Sequence, residues 1–372
     1  MKTRFGFGMF ASIFVVAWGL AIAPAHADLG KARAALNRGD YTAAADELTV
    51  DAQQGDATAE VALGTMYFKG EGVTQNDTEA ASLFRKAAEQ GNAQGQGFLG
   101  AMYQSGRGVG EDDAEAVRWY RKAAEQGDAL SQACLADMYE NGKGVARSLA
   151  DAMTWYRKSA EQGNADAQEH IASLYYLGTS VTKDLPEAVR WYQKAAAQGN
   201  AVSQRHLGFM YQNGVDVGQS DADAVNWYRK AAEQGDAVAQ LGLGYMYEHG
   251  RGILQSYTEA AGWYRKSAEQ GNGTAQYDLG LMYQLGHGVE QSDTEAVSWY
   301  RKAAMQGDAN GQNNLGVMYT NGRGVGQNPT EAAKWFRKAA EGGNADAPGN
   351  LRSLAAHGNV EAQASLAAPG AK

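Results

Sequence analysis

The sequence predicts an all-α fold, a solenoid of 36-residue helix-turn-helix repeats in eight full copies with degenerate caps at both ends. Three observations carry that prediction. A tryptophan or its apolar stand-in recurs at Leu83, Trp119, Trp155, Trp191, Trp227, Trp263, Trp299 and Trp335, with no insertion or deletion between copies. An Asp or Asn opens every copy, and glycines close both halves of each. A period of this length marks arrays whose units cannot bury an apolar face without neighbours. The few large side chains in one copy cannot offset the entropy of ordering its backbone, so stacking must supply the rest.

The first element, residues 1–27, contains no acid, sets Lys2 and Arg4 before an apolar run, and ends in Ala25-His26-Ala27. This pattern predicts a secretory signal peptide with an A-x-A cleavage site and a mature chain starting at Asp28. The competing expectation is an uncleaved anchor, because Phe5 to Ala23 would almost span a bilayer. Export to the periplasm or beyond follows from the first reading, with no membrane insertion after cleavage. Loss of Lys2 and Arg4 leaves 31 basic against 42 acidic residues, a net charge of −11. That balance argues against nucleic acid and anionic membranes as partners. The lone cysteine, Cys134, allows no intramolecular disulfide.

Residues 28–55 are expected to form an N-terminal capping repeat, with Asp28 to Arg38 a shortened first helix. The eight full copies follow over 56–343. In the copy from Asn92 to Gly127, Ala93, Leu99, Met102 and Tyr103 recur at helical spacing and Gly106 ends the run, defining helix A. Its capping residue is Asp56, Asn92, Asp128, Asn164, Asn200, Asp236, Asn272, Asp308 and Asn344 in successive copies. After the Gly106-Arg107-Gly108-Val109 loop, Asp112 opens helix B, which carries Ala116, Trp119, Tyr120, Ala123 and Ala124. Helix B starts at Asn76, Asp112, Ser148, Asp184, Ser220, Ser256, Ser292 and Asn328, each followed three residues later by an acid, a pattern resembling a capping box. Pro186 and Pro329 fall in its first turn, where a missing amide is tolerated. Within helix A, the column Gly64, Gly100, Ala136, Ala172, Gly208, Gly244, Gly280 and Gly316 stays small despite glycine's helix penalty, which predicts close helix packing there.

The run Ala-x-x-Leu-Gly-x-Met-Tyr-x-x-Gly-x-Gly-Val, followed by Glu-Ala-x-x-Trp-Tyr-Arg-Lys-Ala-Ala-Glu-Gln-Gly, resembles the Sel-one-like repeat family, relatives of the tetratricopeptide repeats. The resemblance covers Asp56 to Gly343. It implies a right-handed α/α superhelix acting as an adaptor between proteins, with exported bacterial members in envelope assembly and host interaction. The cysteine-rich exported members carry a disulfide in each repeat; with none here, stability is expected to rest on packing. Ala172 and Ser180 depart from the usual glycines in the fourth copy. Gly39-Asp40-Tyr41-Thr42-Ala43-Ala44 resembles the tetratricopeptide turn into helix B and belongs to the N-terminal cap. At the other end, Pro348 is expected to interrupt a ninth helix A. Gly358 to Gln363 reads as a further helix begun too early, so that 344–366 cap the array and 367–372 form a disordered tail.

Cys134, His170 and His206 occupy one place in three successive copies and are metal-ligand types. Equivalent positions in stacked helices lie about 8–10 Å apart, too far to share one zinc, so no metal site is expected. The Gly-x-Gly loops follow helices, whereas phosphate loops follow strands. Arg38-Gly39-Asp40 matches an adhesion tripeptide but also makes the expected turn. The Arg-Lys pairs on helix B form a basic stripe that Glu89, Glu125, Glu161, Glu233, Glu269 and Glu341 are expected to neutralise from one turn on. No catalytic set and no cofactor site stands out among the copies.

The copies differ most on the side of helix A that carries positions 97, 101 and 104 and their equivalents, expected to line a concave groove. Gly97/Ala101/Gln104 and Ala133/Asp137/Glu140 give way to Glu169/Ser173/Tyr176, Arg205/Phe209/Gln212, Leu241/Tyr245/Glu248 and Tyr277/Leu281/Gln284. Rigid aromatics beside an arginine are what binding surfaces use. The expected function is a non-enzymatic exported scaffold that binds a protein or peptide through Tyr176, Arg205, Phe209, Leu241, Tyr245, Tyr277 and Leu281. Recognition of envelope polysaccharide or peptidoglycan is the alternative, and hydrolase or metal chemistry a remote third. Packing of Phe209, Tyr245 and Leu281 on the next helix A remains the competing account of these residues.

Overall fold

The computed structural model describes residues 29–367, so the expected signal peptide and the end of the tail lie outside the described residues. Twenty α-helices and no strand occur among them. They divide into two compact units, one ending at Ala195 and one starting at Ala196. In the first, α1 (Gly30–Asn37) and α2 (Tyr41–Gln53) precede the repeat helices α3 (Ala57–Lys69), α4 (Asp77–Glu89), α5 (Ala93–Ser105), α6 (Asp113–Glu125), α7 (Ala129–Asn141), α8 (Leu149–Glu161) and α9 (Ala165–Leu177). The division falls within α10 (Leu185–Ala197). The second unit holds α11 (Ala201–Asn213), α12 (Asp221–Glu233), α13 (Ala237–His249), α14 (Tyr257–Glu269), α15 (Gly273–Leu285), α16 (Asp293–Met305), α17 (Ala309–Asn321) and α18 (Pro329–Glu341). Two shorter helices, α19 (Ala347–Ala356) and α20 (Val360–Ala367), end it. Odd-numbered helices from α3 to α17 are helices A and even-numbered ones from α4 to α18 are helices B. On either side of α10, successive helices within each unit pack on one another, the arrangement of an α/α solenoid.

The boundaries follow the capping chemistry. Asp56, Asn92, Asp128 and Asn164 each accept the amide three residues on, and so do Asn200, Asp236, Asn272 and Asp308. Helix B is capped in the same way from Asn76 to Asn328. The capping box, however, is only half made: the cap's own amide donates to the tyrosine carbonyl of the preceding helix A, as Asp112 does to Tyr103 at 3.0 Å and Ser256 to Tyr247 at 2.9 Å. That bond closes the A–B loop, and the acid is left to its interaction with the helix dipole. Pro348 does not interrupt the ninth helix A; the helix starts later, at Ala347, and Pro348 lies in its first turn.

The small column in helix A is explained by helix B of the same repeat. A Cβ on Gly244 would lie 2.6 Å from the Tyr264 ring, and one on Gly100 would lie 2.8 Å from Tyr120. Those tyrosines, with Phe84 and Phe336, are among the largest fully buried side chains, so the core centres on the residue after each tryptophan. The tryptophans themselves join copies: Trp299 belongs to a cluster with Ala260 and Tyr264 of the preceding repeat and Leu279 of its own, and Trp335 packs on Ala296, Val297 and Tyr300. Each has a lysine three residues on over its ring, from Lys122 on Trp119 at 4.3 Å to Lys338 on Trp335 at 4.5 Å.

Candidate binding face on helices A

Three columns of side chains fix which part of helix A is free. The first is a glutamine that reaches both neighbours: Gln240 donates to the Ala232 carbonyl on α12 at 3.1 Å and accepts from Gln270, the C-cap of α14, at 2.8 Å. Gln96 and Gln132 do the same in the first unit, with Ala88 and Gln126 and with Ala124 and Gln162. At Gln312 the next glutamine is replaced by Gly342, and the buried Oε1 of Gln312 has no partner.

The second column is position 104. It accepts the buried tyrosine hydroxyl of its own repeat, Tyr120 on Gln104 at 2.8 Å, Tyr228 on Gln212 at 2.8 Å and Tyr264 on Glu248 at 2.6 Å. In the fourth repeat Tyr176 takes this place, and Tyr192 pairs with Ser173 at 3.0 Å instead. The third column is position 101. Ala101 and Asp137 are buried, at 0% and 7% exposure, whereas Phe209 and Tyr245 are 43% and 37% exposed.

The predicted residues therefore separate. Tyr176 lies in the first unit, half-buried, with the Lys183 ammonium 5.8 Å from its ring centroid. The other six lie in the second unit. Leu241 packs on the core cluster of Tyr264 and Leu279, and Tyr277 on that of Tyr300 and Leu315, its ring 6.0 Å from Tyr300. Leu281 is half-buried. Arg205 is paired with Asp236 at 2.8 Å. Phe209 and Tyr245 present the most open aromatic surface of the set, Tyr245 stacked on His249 at 4.2 Å.

Electrostatics differ along the same helices. His170 meets Glu140 at 2.7 Å, and its ring lies tilted against Tyr156 with centroids 4.2 Å apart. Burial works against the Glu140 charge, but the His170 and Tyr156 hydrogen bonds outweigh it and hold the carboxyl below its usual range. Burial pushes the Cys134 thiol up, and pushes His206 down to about 4 with Arg205 assisting. Among the described residues, no group of three or more His, Cys, Asp or Glu side chains converges as a metal site requires. Asp278, which takes the place of Cys134 and His170 in the seventh repeat, is pushed up to about 7 by burial and by the like charges of Glu248 and Asp308.

Two features escaped the sequence reading. The arginines of the basic stripe reach forward to the next helix A: Arg85, Arg121 and Arg157 donate to the hydroxyls of Tyr103, Tyr139 and Tyr175 at 2.8, 3.0 and 2.7 Å. Arg265 and Arg301 do the same to Tyr283 and Tyr319. Of the expected glutamate partners, only Glu341 comes near its arginine, 3.9 Å from Arg337 among the described residues. The glutamine column is the other. Both recur at the 36-residue period and were legible as repeats, but period alone does not tell a solvated polar side chain from one that bridges copies.

The sequence model of the Sel1 repeat matches residues 57–92, 93–128, 129–164, 165–200, 201–236, 237–272, 273–308 and 309–344. Among solved structures, the chain is similar to a protective antigen present in uropathogenic Escherichia coli strains and displaying an SLR fold. The two share 39% identity over 86% of this chain and 73% of that one, with a TM-score of 0.76. It is also similar to a Sel1 repeat protein from Oxalobacter formigenes, at 32% identity over 93% of this chain and 99% of that one, with a TM-score of 0.60. No curated protein matches it.

Proposed function

The chain belongs to the Sel1 repeat family, whose members are generally non-enzymatic scaffolds for protein–protein interaction, and from that premise we propose that it is an exported scaffold binding a protein or peptide along helices α11, α13 and α15. The observation that carries the reading is the exposure of Phe209 and Tyr245 at a column that is buried in the second and third repeats. Exposed rigid aromatics cost little side-chain entropy to immobilise and bury large area on contact. Arg205, Leu241, Tyr277 and Leu281 frame that surface, and Tyr176 is a separate contact in the first unit. Export with cleavage between Ala27 and Asp28 would release the mature chain beyond the inner membrane.

Immobilised mature protein exposed to cell-envelope extract tests the binding. The expected result is an enriched protein that disappears with the Phe209→Ala/Tyr245→Ala variant. Capture unchanged by that variant would remove the aromatic face from the mechanism, and retention of peptidoglycan fragments in place of protein would favour the glycan reading. Fractionation with N-terminal mass analysis tests the export: a periplasmic or secreted chain starting at Asp28 is expected, and a cytoplasmic chain retaining Met1 would contradict it.

A further inference from the structure

The charges around the aromatic face indicate the chemistry of the partner. Asp236 and Asp308 are equivalent helix caps two repeats apart, and each accepts an amide of its own first turn. Asp236 is also neutralised by Arg205 at 2.8 Å, but the residue standing in Arg205's place before Asp308 is Tyr277. The internal cation is thus absent at the seventh repeat. Asp278 beside it forms no hydrogen bond or ion pair among the described residues, although Glu248 and Asp308 both act on it as like charges. Glu248 accepts from Tyr264 and lies 3.9 Å from the His249 imidazole. Arg251 lies 6.0 Å from the Tyr245 ring centroid but is held by two hydrogen bonds to Asp221. Tyr245, Glu248 and Asp278 all act on the Tyr264 hydroxyl, so they form one neighbourhood.

We propose that this face docks a basic, apolar segment of a protein partner, its lysine or arginine set against Asp278, Glu248 and Asp308 and its apolar side chains on Tyr245 and Phe209. The inference rests on the binding function proposed above and specifies the partner. Charge complementarity is its basis: an uncompensated acidic group beside exposed aromatics favours a cation carried on an apolar chain. Because Asp278 titrates near neutrality, a bound cation also draws off its proton. The groups facing it are the carboxyls of Glu248 and Asp308 and the hydroxyls of Tyr264, Tyr277 and Tyr300; the cation that acts on Tyr300, Arg323, is held by two hydrogen bonds to Asp293. Affinity therefore rises as Asp278 ionises.

The test is fluorescence anisotropy of the full chain with a fluorescein-labelled peptide of alternating lysine and leucine, and with copies carrying glutamate for lysine or serine for leucine. The lysine–leucine peptide is expected to bind, the glutamate copy not to bind, and the serine copy to bind more weakly. Affinity should increase severalfold from about pH 6 to about pH 8. Asp278→Asn should lower it about tenfold at the upper pH and flatten the profile, while Glu89→Gln/Glu125→Gln, on exposed positions of α4 and α6, should leave it unchanged. Equal binding of the glutamate copy, an Asp278→Asn variant with unaltered affinity and profile, or an equal loss in the Glu89/Glu125 variant would each overturn the proposal. Circular dichroism checks the fold of Asp278→Asn; if it is unfolded, Glu248→Gln with the wild-type pH profile decides by the same criteria. Envelope capture lost in Phe209→Ala/Tyr245→Ala but kept in Asp278→Asn would leave the binding function standing and remove only the basic partner.

Discussion

Gln240 joins three helices through one amide group, which a sequence periodicity in polar residues does not by itself suggest. Its substitution by alanine would strip the partner from the Ala232 carbonyl and from the Gln270 amide, a loss of about 1–3 kcal/mol. Gln312 makes the first bond, to Ala304 at 3.1 Å, but its Oε1 is already unpartnered, so Gln312→Ala should cost less, about 1 kcal/mol. Urea unfolding of the two variants checks the order; equal losses would deny the glutamines their bridging role. Asp278 gives a second prediction at this scale. Its folded value near 7 lies above the ordinary carboxylate range of about 4, so the folded state holds the proton longer than the unfolded one. The stability it contributes is present below that range and is lost as pH rises towards 7. Asp278→Asn should therefore raise the urea midpoint above wild type near pH 8 and converge with wild type at acid pH; the reverse trend would contradict the burial argument. The tryptophans, caps and small column were readable in the sequence because each follows a local rule. Tyr120 and its equivalents were not ranked as the core's centre, since side-chain direction on helix B depends on neighbours the sequence does not locate.

Helix boundaries were the most legible elements, because side-chain caps and left-handed glycines act within a few residues of the chain. The structure altered one detail of this logic, sending each helix-B cap amide to the tyrosine carbonyl of the previous helix. Gly178 keeps the left-handed conformation in the fourth repeat, while Asp216 in the fifth is the one described non-glycine residue at positive φ. Asp236 is a cap with a second load, its carboxylate holding both the Ala239 amide at 2.8 Å and Arg205 at 2.8 Å. Asp236→Ala should cost about 1–2 kcal/mol and speed amide exchange at the start of α13. Ser220→Ala, which loses one exposed bond of 3.2 Å, should cost less. A larger effect at Ser220 would mean that helix B, rather than the link between Arg205 and α13, sets local stability.

At the scale of the whole molecule, near-identical repeats leave few places where function can be written, and the sequence variation on helices A marks them. In sequence the seven residues form one band, but side-chain packing divides them. Leu241 and Tyr277 lean on core clusters shared between their own and the next repeat, Arg205 is spent on a helix cap, and Phe209 and Tyr245 stay open. That division was not legible beforehand, because a residue on the outer side of one helix is judged by the helix stacked beside it. The central claim is that recognition is carried by helices A in the second unit and not by the basic stripe on helices B, most of whose arginines and lysines are engaged by tyrosine and tryptophan. Photo-crosslinking in cells tests it most directly, with a benzoylphenylalanine placed at Phe209, Tyr245, Glu89 or Glu125. The account predicts one shared protein adduct from the first two positions and none from the last two; adducts from the helix-B positions alone, or from none of the four, would contradict it.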